Sequence, residues 1–90
     1  MKATSDNRLT DSMIDGTEPS DRPKRISDGR GMYLEISSAG GRLWRFKFRF
    51  AGKEKCMSLG TYPDVSLAKA RQRREAARRL LADGVNPVER

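Results

Sequence analysis

The residues best suited to chemistry in this chain are cations at every second position of one short segment. Arg45, Lys47 and Arg49 alternate with Trp44, Phe46, Phe48 and Phe50. In an extended strand a period of two sends the rings to one side and the charges to the other. Like charges repeated about every 6.6–6.8 Å repel one another and add little to folding. Opposite a row of phosphates, or the electronegative base edges of a groove, the same spacing becomes favourable. This is the chemistry of polyanion recognition rather than of bond-making.

The rest of the composition agrees. The 90 residues include no histidine and one cysteine, Cys56. Without histidine, neither a Ser-His-Asp nor a Cys-His nucleophile can be assembled. A histidine-ligated metal is equally impossible, and one thiolate does not build a zinc site. No two carboxylates form a convincing acid/base pair, so neither catalysis, cofactor nor metal is expected of this chain. A lone thiol cannot form an internal disulfide, which fits a reducing, cytoplasmic setting. No apolar run reaches the roughly 18–20 residues of a membrane helix, and residues 1–15 lack the apolar heart of a secretory signal. No membrane partner is expected.

The net charge of +7 is unevenly placed. Residues 1–23 carry three cations against five carboxylates, and the remainder of the chain carries sixteen against seven. Arg42, Arg45, Lys47, Arg49, Lys53 and Lys55 form one cluster, opposed by Glu54. Lys69, Arg71, Arg73, Arg74, Arg78 and Arg79 form the other, opposed by Glu75. Such asymmetry directs attention to an anionic polymer, with nucleic acid first.

These side chains need a scaffold. Residues 1–8 are polar and expected to fray. Thr10 suits an N-cap for one helical turn ending near Gly16. Glu18 to Pro23 reads as an extended connector, and Asp28 to Gly31 as a glycine-bearing turn. Three strands are expected. The first, Met32 to Ser37, puts Met32, Leu34 and Ile36 on one side. The second, Leu43 to Phe50, follows the loop Ser38 to Gly41. The third, Lys53 to Leu59, returns after a tight turn at Ala51 and Gly52. Ser66 is placed to cap a helix from Leu67 to about Asp83, stopped by Gly84 and Pro87. Leu67, Ala70, Ala77 and Leu81 share one stripe of that helix. Arg74 falls within the stripe and must pair or snorkel.

The expected fold class is therefore α+β: a three-stranded antiparallel sheet on one C-terminal helix, with a short N-terminal helical turn. Burying Trp44, Phe46 and Phe48 against the helix forces the intervening cations outward. The outward face would show Tyr33, Glu35, Arg45, Lys47, Arg49, Glu54, Cys56 and Ser58. The candidate DNA-contacting residues are Arg45, Lys47, Arg49, Tyr33, Arg42, Lys53, Lys55 and Ser58. A major groove about 12 Å wide admits a β-ribbon, where arginine can read guanine and serine can reach a base or phosphate. The helix cations spread around the circumference and read mainly as a solvated surface; some could meet phosphates beside the groove, Arg71 and Arg78 being best aligned with each other. Tyr62, beside Pro63, reads as a packing or turn residue.

Several stretches resemble the N-terminal domain of prophage and genomic-island tyrosine-recombinase integrases of the satellite-phage type. They are Leu9-Thr-Asp11, Ser27-Asp-Gly29, Gly31-Met-Tyr-Leu34, Leu43-Trp-Arg-Phe46, the run from Leu59 to Ala68, and Ala70-Arg71. The resemblance implies an arm-type DNA-binding domain over residues 9–87, its sheet entering the major groove of attachment sites. It also implies that residues 88–90 begin a linker to core-binding and catalytic domains beyond this chain. The implied partners are double-stranded DNA, other integrase protomers and an excision factor, in a bacterial, nucleoid-associated setting. Two other classes fit the charge: an RNA-binding module, and a protein-interaction module that assembles protomers. RNA recognition would ask for contacts laid across a shallow minor groove.

Overall fold

A computed structural model of the protein describes residues 7–88. In chain order the elements are α1 (Asp11–Gly16), β1 (Lys24–Gly29), β2 (Met32–Ile36), β3 (Arg42–Phe50), β4 (Lys53–Thr61) and α2 (Leu67–Ala82). The strands form one antiparallel sheet in the order β1-β2-β3-β4. The helix–sheet architecture, the short first helix and the caps at Thr10 and Ser66 agree with expectation.

The sheet has four strands and not three. The additional strand, β1, pairs Arg25 with Glu35, Ile26 with Leu34 and Ser27 with Tyr33. Its sequence, Lys-Arg-Ile-Ser-Asp-Gly, contains one large apolar residue, so hydrophobic alternation gives no signal there. As an edge strand it needs only one pairing partner and little apolar surface. The fraying expected over residues 1–8 falls largely on positions outside the described residues. At the end of that stretch the Arg8 amide donates to the Asp28 carbonyl at 2.9 Å. Of the expected linker at 88–90, positions 89 and 90 also lie outside them.

The inner face of the sheet is the core. Met32, Leu34, Ile36, Trp44, Phe46, Phe48 and Leu59 are buried together with Leu9, Ile14, Leu67, Ala70 and Ala77. At about 1.5–3 kcal/mol per fully buried large side chain, this cluster is the main stabilising element of so small a domain. The Trp44 indole N–H donates to the Val65 carbonyl at 2.8 Å, which fixes the ring and the loop before α2 together. Tyr62 meets Trp44 edge-on at 6.1 Å and donates to Asp15 at 3.1 Å, so it is a packing residue that anchors α1. Among the described residues no helix is long and apolar enough to cross a membrane.

One turn has a strict sequence requirement. Gly31 sits at φ +87°, and a Cβ there would lie 2.5 Å from the Lys47 carbonyl oxygen. The Gly31 carbonyl in turn accepts from the Lys47 amide at 2.8 Å. The β1–β2 turn is thereby pressed onto the middle of β3, where the alternating cations lie.

Candidate nucleic-acid interface

With the rings of β3 inside, register decides what lies outside. Paired residues share a face in an antiparallel sheet. Arg45 stands opposite Tyr33 and Ser58, Lys47 opposite Cys56, and Arg49 opposite Glu54. On the far side of β2, Arg25 stands opposite Glu35 and Ser27 opposite Tyr33. The outer face therefore displays four cations, Arg25, Arg45, Lys47 and Arg49, with two carboxylates, Glu35 and Glu54, among them.

The centre of this face is a small polar network. The Arg45 Nε donates to the Cys56 Sγ at 3.3 Å and lies 3.6 Å from a Glu35 carboxylate oxygen. The Tyr33 hydroxyl contacts the same sulfur at 3.5 Å. The contact with Cys56, aided by burial, raises the Tyr33 hydroxyl above its ordinary value, so it stays a neutral hydroxyl. The same sulfur raises Arg45, which is charged throughout the physiological range. Arg25 lies over the Tyr33 ring, 5.3 Å from its centroid, in cation–π geometry. Lys47 and Glu54 approach to 3.4 Å with both side chains about half exposed, a pair that water screens heavily. Arg49 is exposed and forms no ion pair among the described residues.

The expected site residues thus divide. Arg45, Lys47, Arg49, Tyr33 and Ser58 converge on one face. Arg42, Lys53 and Lys55 pair with Ile36, Phe50 and Phe48 and so stand at positions of the opposite parity, although Lys55 still borders the hollow lined by Arg25, Tyr33, Arg45 and Lys47. Nearness in sequence to the cationic run grouped them with it, whereas strand parity separates them. Arg42 instead lies over the Tyr62 ring at 5.8 Å and 3.9 Å from Asp15. Arg25 was not anticipated, because β1 itself was not. Its two-residue spacing from Ser27, just before the Asp-Gly turn, is the available signal.

The helix cations are largely structural. Arg71 holds Asp28 in a two-pronged grip, Nε to Oδ2 at 3.0 Å and Nη2 to Oδ1 at 2.9 Å, and also donates to the Leu9 carbonyl. Arg74 is buried and donates to Asp28, Gly29, Asn7 and Glu75. Arg73 donates to the Leu59 carbonyl at 2.8 Å, and Arg78 to Glu75 at 3.0 Å. Arg71 thus spends its Nε and Nη2 on Asp28 and the Leu9 carbonyl, a structural task, with about a quarter of the side chain left in water. Asp28 is completely buried. Burial pushes its carboxyl up, but the Arg71 hydrogen bonds, the Leu9 amide and the charges of Arg71 and Arg74 outweigh this and hold it below the usual range.

Comparison with known proteins completes the description. A family described as "Arm DNA-binding domain" matches residues 9–90. The integrase of Enterobacteria phage P4 is 37% identical over 82 residues, covering 89% of this chain and 19% of that protein. The integrase of Shigella phage Sf6 is 35% identical over 80 residues, covering 89% of this chain and 21% of its own length. The prophage integrase IntA of Escherichia coli (strain K12) is 40% identical over 83 residues, covering 90% of this chain and 20% of that protein. The chain thus spans about a fifth of the length of these curated relatives.

Proposed function

The chain belongs to the Arm DNA-binding domain family, and from that premise we propose that its outer sheet face enters the major groove of double-stranded DNA. The DNA would be the arm-type attachment sites of a tyrosine-recombinase integrase, and the module would hold that recombinase on its sites during integration and excision. Cutting and rejoining would belong to other domains of the longer protein. The observation that carries the reading is the division of labour within β3. Trp44, Phe46 and Phe48 are consumed by the core, while Arg45 and Lys47 stand outward beside Arg25 with no buried structural task. Phosphate contacts from such cations would set affinity and register, and the arginines would read guanine edges.

The reading has a quantitative consequence. Each neutralised phosphate releases counterions, so log K should fall with log salt at a slope of about −0.9 per contact. The four outer cations predict a clearly negative slope, reaching about −4 if each neutralises a phosphate, in a titration of a 30-base-pair duplex. An RNA duplex of the same sequence should compete poorly, because its deep, narrow major groove does not admit a sheet. A slope near zero, or equal competition by RNA, would contradict the reading.

A further inference from the structure

The outer face contains a group that phosphate binding does not explain. Glu35 lies in the middle strands of the face, between Arg25 across β1 and Leu43 across β3. Its carboxylate approaches Arg45 at 3.6 Å with about 29% of the side chain exposed. With about a third of each side chain in water, this pair and the cross-strand Arg25 offset some of the repulsion among the outer cations, each by about 1 kcal/mol at most, so stability is a weak reason for a carboxylate at this place. Every phosphate of a duplex repels it. In the major groove its favourable partners are exocyclic amino groups, above all the cytosine N4. A carboxylate here penalises DNA in general and is compensated opposite a particular base.

Taking the sheet-face reading as given, we propose that Glu35 is the specificity-determining residue of this interface. It accepts from the amino group of a cytosine while holding Arg45 in place to meet the adjacent base or phosphate. Glu54 is the internal comparison. It also faces Lys47, but it sits beside the β3–β4 turn at the margin of the face and is 57% exposed. It adds negative charge to the face without reaching its centre.

The test compares base preference and general affinity. Wild type, Glu35→Gln, Glu35→Ala and Glu54→Gln are each used to select from a random duplex pool, then titrated against one duplex of arbitrary sequence. Thermal melting should show all four folded. Both Glu35 variants are expected to bind the arbitrary duplex several-fold more tightly, with a salt slope steeper by about 1. Glu35→Ala should also lose, about ten-fold, a cytosine preference at one position, and Glu35→Gln, whose amide oxygen still accepts, should lose a smaller part of it. Glu54→Gln should gain affinity for the arbitrary duplex yet keep the selected sequence. Unchanged base preference in the Glu35 variants would overturn the proposal, as would equal loss of preference in Glu54→Gln. Undiminished binding by a Arg45→Ala, Lys47→Ala, Arg49→Ala triple variant would instead defeat the underlying sheet-face reading.

Discussion

Replacing Asp28 with asparagine is expected to destabilise the domain by about 3 kcal/mol, at the low end of the range for breaking a buried ion pair. Against the roughly 5–15 kcal/mol that holds a typical domain folded, this is a severe loss. The cause is the position of Asp28 at the meeting of three chain segments. Its two oxygens accept four hydrogen bonds, one from the Leu9 amide, two from Arg71 and one from Arg74. Asparagine keeps the volume but removes the charge and offers one carbonyl oxygen in place of two carboxylate oxygens. Arg74, only 2% exposed, would retain Glu75 as its remaining anionic partner, which places the cost at the low end. The same contacts hold the Asp28 carboxyl below its usual value. A depressed carboxyl contributes stability above the unfolded value of about 3.9, and that contribution is lost as pH falls through the folded one. Urea unfolding at a series of pH values should therefore show wild type losing stability below about pH 4. The variant should show a shallower decline, with the remainder coming from Glu75, whose carboxyl is pushed up by burial but held below its usual value by Arg74, Arg78 and Arg30. Equal stability of the two proteins at pH 7 would show that the network is not the clasp described.

The triple variant Arg45→Ala, Lys47→Ala, Arg49→Ala is expected to lose at least about 100-fold in DNA affinity while melting within a few degrees of wild type. Each arginine that reads a base contributes about 1–3 kcal/mol, and each cation on a phosphate contributes about one unit of salt slope. The slope should drop in magnitude by about one unit for each of the three that meets a phosphate, at most about 3. Folding should persist because these side chains point away from the core, and their ion pairs with Glu35 and Glu54 are open to water. Fluorescence anisotropy with a labelled duplex, beside a thermal melt, reads both quantities. Removing all three charges also relieves repulsion along β3, so a small rise in melting temperature agrees with the account.

How far the sequence revealed this arrangement depended on whether a residue obeyed strand or helix parity. Trp44, Phe46 and Phe48 state their side unambiguously, and with them the outward placement of Arg45, Lys47 and Arg49 follows. The inner residues of β2, the caps at Thr10 and Ser66, and the apolar stripe of α2 were equally legible. What escaped was carried by polar residues. β1 has one large apolar side chain, so nothing in its pattern distinguishes an edge strand from a connector, and Arg25 was missed with it. Arg74 within the helix stripe did announce a buried partner, but not which one. Asp28 lies at a register shift between Ser27 and Gly29, where alternation no longer assigns sides. Arg71 looked like a surface cation for the same reason: its anion was invisible. Arg42, Lys53 and Lys55 were grouped with the outer cations because charge clusters are counted along the chain, whereas faces are assigned by parity.

The most direct measurement is a nuclear magnetic resonance titration of the chain with a duplex selected for binding, following backbone amides and arginine side-chain N–H groups. The account predicts that the largest shifts fall on Arg25, Tyr33, Glu35, Arg45, Lys47 and Arg49, with the exposed side of α2 nearly unchanged. Shifts concentrated on Lys69, Gln72 and Arg79 of α2, with the outer strand positions unmoved, would contradict it.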